Sequence, residues 1–580
     1  MRLGLLASFL IAVVATWPVA VDPSGAFVGH PGNDVWNHAW GYWWVGDELA
    51  QGRFPLHTDL LRFPGRSSLY FIDSVGAVLT LPVQRVAGVV AAYNVAVFAC
   101  FFSAAFGAWL LCRHLLLHRT DRANEVAVLG ALAYGWSPHL LAQAYNGITE
   151  TLTAGSLPFT TWAFLRLLER PRWGRALALG ALAGSGMLAN WYYGLFGFLG
   201  STILGIGAAS TRWERIHWRW VPGGLVVGAL LALAMTAPGL LAFASSLEGP
   251  AAIVNRDPEF VWKSLVGHNM TDAVSMFRPG KVYSPDLKAL HGEDLLIVVY
   301  LGWTLLVGAV FGLRAMPRWR DRLPWLAWIG FFALLTLGPY LFVNGQYVTI
   351  DDRRIPLPFL AFFDAVPLFD RISHPFRFVM PVQLGLAALA CIGLAGRSRP
   401  WVFAACLLVG TESLGLSPAP WPMARSSAEI PSYCQALADD PAPGAVLDLP
   451  IALPNLERAI YHYWQTAHRR PSPYSLNEPN PVVLERSHLA RALGIAETGR
   501  IDRLPPMLAE FDLVVSGRNL ADIGIRYVVL HERFYLPERL ASSLAIVRIA
   551  LGEEALVTAQ GDHVWKLVRP DTHGFALVSP

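Results

Sequence analysis

The stretch "GHPGNDVWNHAWGYWW", residues 29–44, sets a carboxylate, Asp34, four residues before an imidazole, His38, at the head of a tryptophan-rich run. On a helix that spacing puts both side chains on one face. Asp34 reads either as a general base or, with Asn33 as the other candidate, as the N-cap of that helix. A second carboxylate, Glu150, ends "YNGITE" beside an apolar run, where it needs a wet cavity or a partner unless it snorkels to the surface. The cations lie further on. "IDDRRIPLPF" and "FDRISHPFRF" supply Arg353, Arg354, Arg371, His374 and Arg377, and guanidinium groups suit bidentate capture of phosphate. Pairing with Asp351, Asp352, Asp364 and Asp370 is the plainer reading of the same arginines. His268 and Asp272 in "VGHNMTDAVSMFRPG" are two of the three or more ligands that a divalent metal would need.

The elements that must position these residues are set by composition. The 580 residues are 54% hydrophobic and 15% charged, with a mean hydropathy of +0.41, which marks a membrane protein. Apolar runs long enough to cross a bilayer occur about eleven times. They lie near 3–21, 91–112, 126–143, 148–168, 176–191, 194–210, 221–244, 294–313, 324–343, 377–396 and 400–418. Short arginine-rich segments alternate with the other loops: Arg113, Arg119 and Arg122; Arg170, Arg172 and Arg175; Arg212, Arg215 and Arg219; Arg314, Arg318, Arg320 and Arg322; Arg397 and Arg399. The positive-inside rule then puts the N-terminus in the cytoplasm, with every candidate polar cluster and the C-terminus outside. Arg2 and the apolar run after it read as a retained signal anchor, since no clean cleavage site follows. Residues 75–90, apolar but carrying Pro82, Gln84 and Arg85, read as a helix on or dipping into the interface. Trp36, Trp40, Trp43 and Trp44 make one helical stripe that suits a headgroup layer, and "NWYYG", residues 190–194, reads as a further aromatic belt.

From about Ser417 the prolines cluster and no later run could span. "GAVLDLP" and "IRYVVLHE" read as strands, "PERLASSLAIVRIA" as a helix, and "EALVTAQGDHVWKLV" as two strands around a Gly-Asp turn. The expected architecture is an α-helical polytopic membrane protein with a small C-terminal α/β extracytoplasmic domain. Residues 1–418 form the membrane part, with an exterior loop 22–90, and 419–580 the soluble module. Cys434 is the one cysteine outside the apolar stretches, where an impermeant thiol reagent would be expected to find it.

A net charge of +3 with no basic run interleaved with aromatics excludes a nucleic-acid binder. There is no zinc spacing and no phosphate-binding glycine loop. Any donor must therefore arrive through the membrane.

The chain resembles the glycosyltransferase-C superfamily, polytopic enzymes that take a sugar from a polyprenyl-phosphate carrier on the outer face of the membrane. The shared features are a first span leading into a long exterior loop with an Asp near its start, "GND" ending at Asp34, and "PGRSSLYFIDS", residues 64–74, closing that loop. "RISHPFRFVMPVQLGLAAL", "GAVLDLPI" and "YHYWQTAHRRP" are similar to bacterial proteins of this type. The resemblance implies an inverting membrane glycosyltransferase in the inner (plasma) membrane, with Asp34 as base and one or more of Arg353, Arg371 and Arg377 on the phosphate. His38, Glu150 and His374 join them as substrate-binding candidates. Its partners would be the polyprenyl-phosphate sugar donor, a lipid, glycan or protein acceptor and membrane lipids. No DxD or ExD follows Asp34, so the cofactor is either none or a divalent metal. Two other classes remain: a lipid or sugar transporter, which would carry charges deep in its spans, and a non-catalytic envelope assembly factor working through the exterior domain.

Overall fold

In a computed structural model of the chain, four helices among the described residues are long and apolar enough to cross a membrane: Leu81–Leu116, Trp191–Ser210, Val221–Ser246 and Pro375–Leu394. The structure describes residues 1–580 except 213–215, 217–218, 248–251, 254–257, 281–294, 367–368, 477–480, 482, 501–502, 505–506, 508–510 and 569–580. Arg215 of the topology reading lies outside them. Helix Val379–Leu394 is apolar on every side and almost wholly buried, whereas Val221–Ser246 leaves most of its apolar side chains exposed. The first is a core element of the bundle and the second has a surface made for lipid. Helix Trp303–Ala315 lies against the core helix through small residues. A Cβ at Gly312 would stand 1.9 Å from the Leu389 carbonyl oxygen, an approach that only glycine permits.

Several apolar runs are not single helices. Residues 126–143 cover the end of Ala123–Gly135 and most of Pro138–Asn146, the second helix starting afresh with Pro138 at its first position. Of the run 294–313, residues 295–302 carry no helix. Their backbone is satisfied from other elements: Asn146 donates to the Leu296 carbonyl at 2.8 Å and accepts from its N–H at 2.7 Å. His139 Nδ1 lies 2.9 Å from the Val298 carbonyl, and the Leu301 N–H donates to Met276. An extended backbone at this depth survives because protein, and not lipid, surrounds it. Helix Trp303–Ala315, which follows, is capped from helix Arg399–Gly415, the Glu412 carboxylate accepting the Trp303 N–H at 2.6 Å and the Thr304 N–H at 3.0 Å.

Residues 75–90 form the short helix Ser74–Leu79 and the start of Leu81–Leu116, which bends at Gly88 with φ of 84°. Leu79 and Val86 are left strongly exposed.

After residue 418 a four-stranded sheet runs in the order Leu556–Val557, Asp562–Lys566, Ile525–His531, Ala445–Leu449. Its last two strands are parallel and the remaining pairs antiparallel, with helix Pro537–Leu551 leading from the third strand toward the first. This part and the loop 22–90 pack as one body. Strand Ala26–Val28 pairs with Arg425–Ser427, and Ser472 and Tyr474 bond to the backbone of Leu60, Phe63 and Arg62.

The tryptophan stripe is corrected by that packing. Trp36, Trp40, Trp43 and Trp44 are buried, not spread in a headgroup layer. Trp36 stacks on Tyr463 at 5.4 Å, Trp40 donates to Gln465 at 2.7 Å, and the Arg469 guanidinium covers Trp43. Helical spacing marks a face to be buried, and helix Ile460–His468 is what buries it. Cys434 is corrected too, being wholly buried in helix Tyr433–Asp439 and so a poor label site.

Two predictions follow from these placements. Ser432→Cys puts a thiol at an exposed neighbouring position. An impermeant maleimide should label it in intact cells, and labelling that begins only after the membrane is opened would reverse the orientation. The second concerns Glu497, buried and accepting from the Ala452 N–H and the Tyr535 hydroxyl. Burial raises its carboxyl from 4.5 to about 7. The folded state then holds a proton that the unfolded chain releases, so this stability is full below the ordinary value and is lost as pH rises through about 7, on the order of 3 kcal/mol. Glu497→Gln should melt with the wild type at about pH 5 and above it at about pH 8. Equal melting temperatures at both would show that Glu497 does not hold that proton.

Candidate functional site

Asp34 occupies the N-cap position of helix Val35–Ala50, yet its side chain makes no capping bond. The carboxylate turns toward its own helix. Asn37 Nδ2 donates to Oδ1 at 2.7 Å, and Oδ2 stands 3.8 Å from His38 Nε2. Its backbone is anchored instead, the Asp34 N–H donating to the Asn146 carbonyl at 2.9 Å. The Asn-Gly of "YNGITE" makes this approach possible. Gly147 ends helix Pro138–Asn146 with φ of 72°, and a Cβ there would lie 2.4 Å from Val35.

The turn after Gly147 brings Glu150 to the same place. Its Oε2 is 3.3 Å from His38 Nε2, and its Oε1 is 3.5 Å from Arg377 Nη2. All three side chains are at least nine-tenths buried. Arg377 sits in the single turn Pro375–Phe378 at the mouth of the core helix, its guanidinium 4.9 Å above the Tyr192 ring. Its Nε is buried with no hydrogen-bond partner among the described residues. A buried guanidinium with a spare donor, held by one carboxylate and one ring, has the chemistry to receive an oxyanion. Asn190 donates to the Glu150 carbonyl at 2.9 Å and Tyr193 to that of Thr151 at 2.6 Å. The "NWYYG" run is therefore a wall of the site, where an aromatic belt at the interface was expected.

Asp73 belongs to this cluster and was not among the candidates. It accepts from the Tyr42 hydroxyl at 2.7 Å and from the Thr149 hydroxyl, which in turn meets His38 Nδ1 at 2.8 Å. Burial pushes the Asp73 carboxyl up from its ordinary value, while Thr149, His38 and Tyr42 pull it back. Its only trace in the sequence is its place in "PGRSSLYFIDS".

The other candidates lie apart. Arg353 is exposed in the hairpin Thr349–Ile350 and Arg353–Arg354, whose Arg354 stacks on Tyr347 at 4.0 Å, and Arg371 is exposed. His374 is half-buried, with Nδ1 2.8 Å from the Ser373 hydroxyl. His268 and Asp272 do not share a site. The His268 ring meets Asn269 Oδ1 at 2.8 Å, while Asp272 accepts the N–H groups of Val274 and Gly345, one on each oxygen. Among the described residues no group of three His, Cys, Asp or Glu side chains has the geometry to hold a metal. His268 and Asp272 thus do not make a metal site with each other in their observed contacts.

No family model matches the chain, and no curated protein does. Solved structures do. A cryo-EM structure of the arabinofuranosyltransferase AftD from Mycobacteria is 14% identical, with a TM-score of 0.55 over 97% of this chain and 41% of that one. The chain thus spans about two fifths of AftD. ArnT from Cupriavidus metallidurans, bound to undecaprenyl phosphate, is 14% identical with a TM-score of 0.42 over 97% of both chains. The oligosaccharyltransferase AglB from Archaeoglobus fulgidus, with an inhibitory peptide and a dolichol-phosphate, is 11% identical with a TM-score of 0.48 over 95% of this chain and 71% of that one. Over nearly its whole length this chain therefore shares the fold of the matched part of that arabinofuranosyltransferase.

Proposed function

We propose that the protein is an integral-membrane glycosyltransferase that moves a sugar from a polyprenyl-phosphate carrier to a hydroxyl of an envelope glycan, lipid or protein. Residues 1–418 carry the reaction and 419–580 brace the exterior loop on the outer face of the membrane. The observation that carries the reading is Asp34: it stands at the head of a helix without capping it, and His38 and Glu150 join it to a buried arginine that has a donor to spare.

A sugar phosphate ester already has a good leaving group. The site must supply a base for the acceptor hydroxyl and positive charge for the departing phosphate. Asp34 takes the proton as the acceptor oxygen attacks the anomeric carbon. Arg377 receives the phosphate, its charge balanced until then by Glu150. A single displacement with one base inverts the anomeric centre. Arg371 and His374, near Arg377 in the chain, suit the outer approach of a charged headgroup, and Arg353 lies farther along the same loop.

The test uses the full chain in bilayers and the lipid-linked sugar fraction extracted from the native membrane. Asp34→Asn keeps an oxygen for Asn37 but cannot take a proton, so melting should stay near wild type while transfer falls by roughly 10²-fold or more. Transfer at the wild-type rate would remove Asp34 as the base and make Glu150 the next candidate. Arg377→Lys keeps the charge but loses the planar fork and its Nε, and should lower transfer by roughly tenfold or more. Unchanged transfer in that variant would take the phosphate away from Arg377.

A further inference from the structure

The proton that Asp34 removes must leave it before the next turnover, and the departing phosphate gains a negative charge in the same event. The side chains between these two points form a chain. Thr149 has one hydroxyl proton, and it is directed at Asp73 Oδ2. The contact of the same hydroxyl with His38 Nδ1 at 2.8 Å must then be Nδ1–H donating to the oxygen. A neutral imidazole in that tautomer carries its lone pair on Nε2. That is the nitrogen facing both carboxylates, at 3.8 Å from Asp34 Oδ2 and 3.3 Å from Glu150 Oε2. A lone pair and two carboxylates converge there, so at least one proton must be shared among them. Because one nitrogen faces both groups, the ring can take a proton from one and give it to the other without turning over.

We propose that Asp73 and Thr149 are positioning residues of a proton relay in which His38 Nε2 passes the proton taken up at Asp34 to Glu150, and Glu150 gives it to the phosphate leaving at Arg377. The inference rests on the proposed transfer reaction. The acceptor O–H bond breaks as its oxygen bonds to the anomeric carbon, and the carbon–oxygen bond to phosphate breaks with its electron pair going to the phosphate. The proton moves from Asp34 through Nε2 and Glu150 to a phosphate oxygen, so the carrier leaves as a singly protonated monophosphate and net charge is conserved. The groups facing His38 are Asp34 on its own helix and Glu150 and Thr149 on the turn after Gly147, with Asp73 beyond Thr149 and Arg377 beyond Glu150. Phe71 packs against the ring at 5.9 Å. Asp73 also accepts from Tyr42, so one buried carboxylate oxygen receives two hydroxyls and is fixed in place.

Two readouts separate this from a merely structural role and from failure of the reaction itself. The first needs no donor. Nitrogen-15 histidine NMR of the full chain in bilayers, with the His38 signals assigned by difference against His38→Gln, should show the proton on Nδ1 in wild type. Thr149→Val should lose that preference and Thr149→Ser should restore it. A proton on Nε2 alone, or a tautomer that ignores Thr149→Val, overturns the proposal. The second readout is transfer from the extracted lipid-linked sugar fraction. Thr149→Val should lower kcat about tenfold or more with KM nearly unchanged, because the loss lies in proton movement and not in binding. Thr149→Ser should recover most of it. A Thr149→Val enzyme with wild-type kcat overturns the relay even where the NMR tautomer is as stated. Should wild type transfer nothing, the proposed reaction fails and the relay with it, while the NMR alone still decides whether Asp73 orients His38.

Discussion

A carboxylate buried beside an apolar span is the constraint from which this architecture follows. Glu150 has little solvent to stabilise its charge, and removing Arg377 would leave a buried carboxylate without its guanidinium partner. Three separate parts of the chain meet around it. The loop 22–90 brings His38, the mouth of the core helix brings Arg377, and the turn before helix Trp191–Arg212 brings Asn190 to its carbonyl. The loop is in turn held from behind, since the helix carrying His38 is locked by its tryptophans against Ile460–His468. A helix far away in sequence, Ile460–His468, thus holds the helix that carries His38.

The same logic governs the backbone. Residues 295–302 abandon the helix in an apolar region, which is tolerable only if each polar group finds a partner in protein. Asn146 supplies two of those bonds through its side chain, and its carbonyl accepts the Asp34 N–H. One residue therefore couples the unwound segment to the head of the site helix. "YNGITE" does three tasks in six residues: it closes a helix with Asn-Gly, ties down two foreign segments and delivers Thr149 and Glu150.

Much of the site was legible because chemistry-bearing residues near apolar runs are few. Asp34, His38, Glu150 and Arg377 stand out by charge and place, and all four converge. Arg353 and Arg371 stood out by the same rule but lie exposed, since nearness to a span end in sequence does not set which way a loop arginine points. The tryptophan stripe announced a buried face, yet spacing carries no information about the partner, and a headgroup layer and a protein helix ask for the same pattern. Tyr192 looked like a belt residue for that reason. Asp73 and Thr149 were not legible, because a carboxylate and a hydroxyl far apart in sequence acquire meaning only when folding sets them on either side of one proton. The run 294–313 misled because hydropathy measures burial and not conformation; "LLIVVY" is as suited to an extended buried strand as to a helix.

Whether Asp34 is a cap or a base can be argued within the chain, because the chain also shows what its caps look like. Asp512 heads helix Leu513–Asp522 and accepts both the Val514 N–H at 2.7 Å and the Val515 N–H at 3.1 Å. Ser137 and Ser487 each accept an N–H from the first turn of the helix that follows. Asp34 holds the same position and takes neither bond. The first turn of its helix is steadied instead by the anchoring of the Asp34 N–H to Asn146 and by the bond from Trp36 Nε1 to the Pro31 carbonyl. A cap whose carboxylate is turned away from the N–H groups it should satisfy forgoes about 1 kcal/mol of helix stability. That arrangement makes sense where the oxygen has other work, and the groups it faces, His38 and beyond it Glu150 and Arg377, are those to which the proposed reaction assigns the proton and the phosphate.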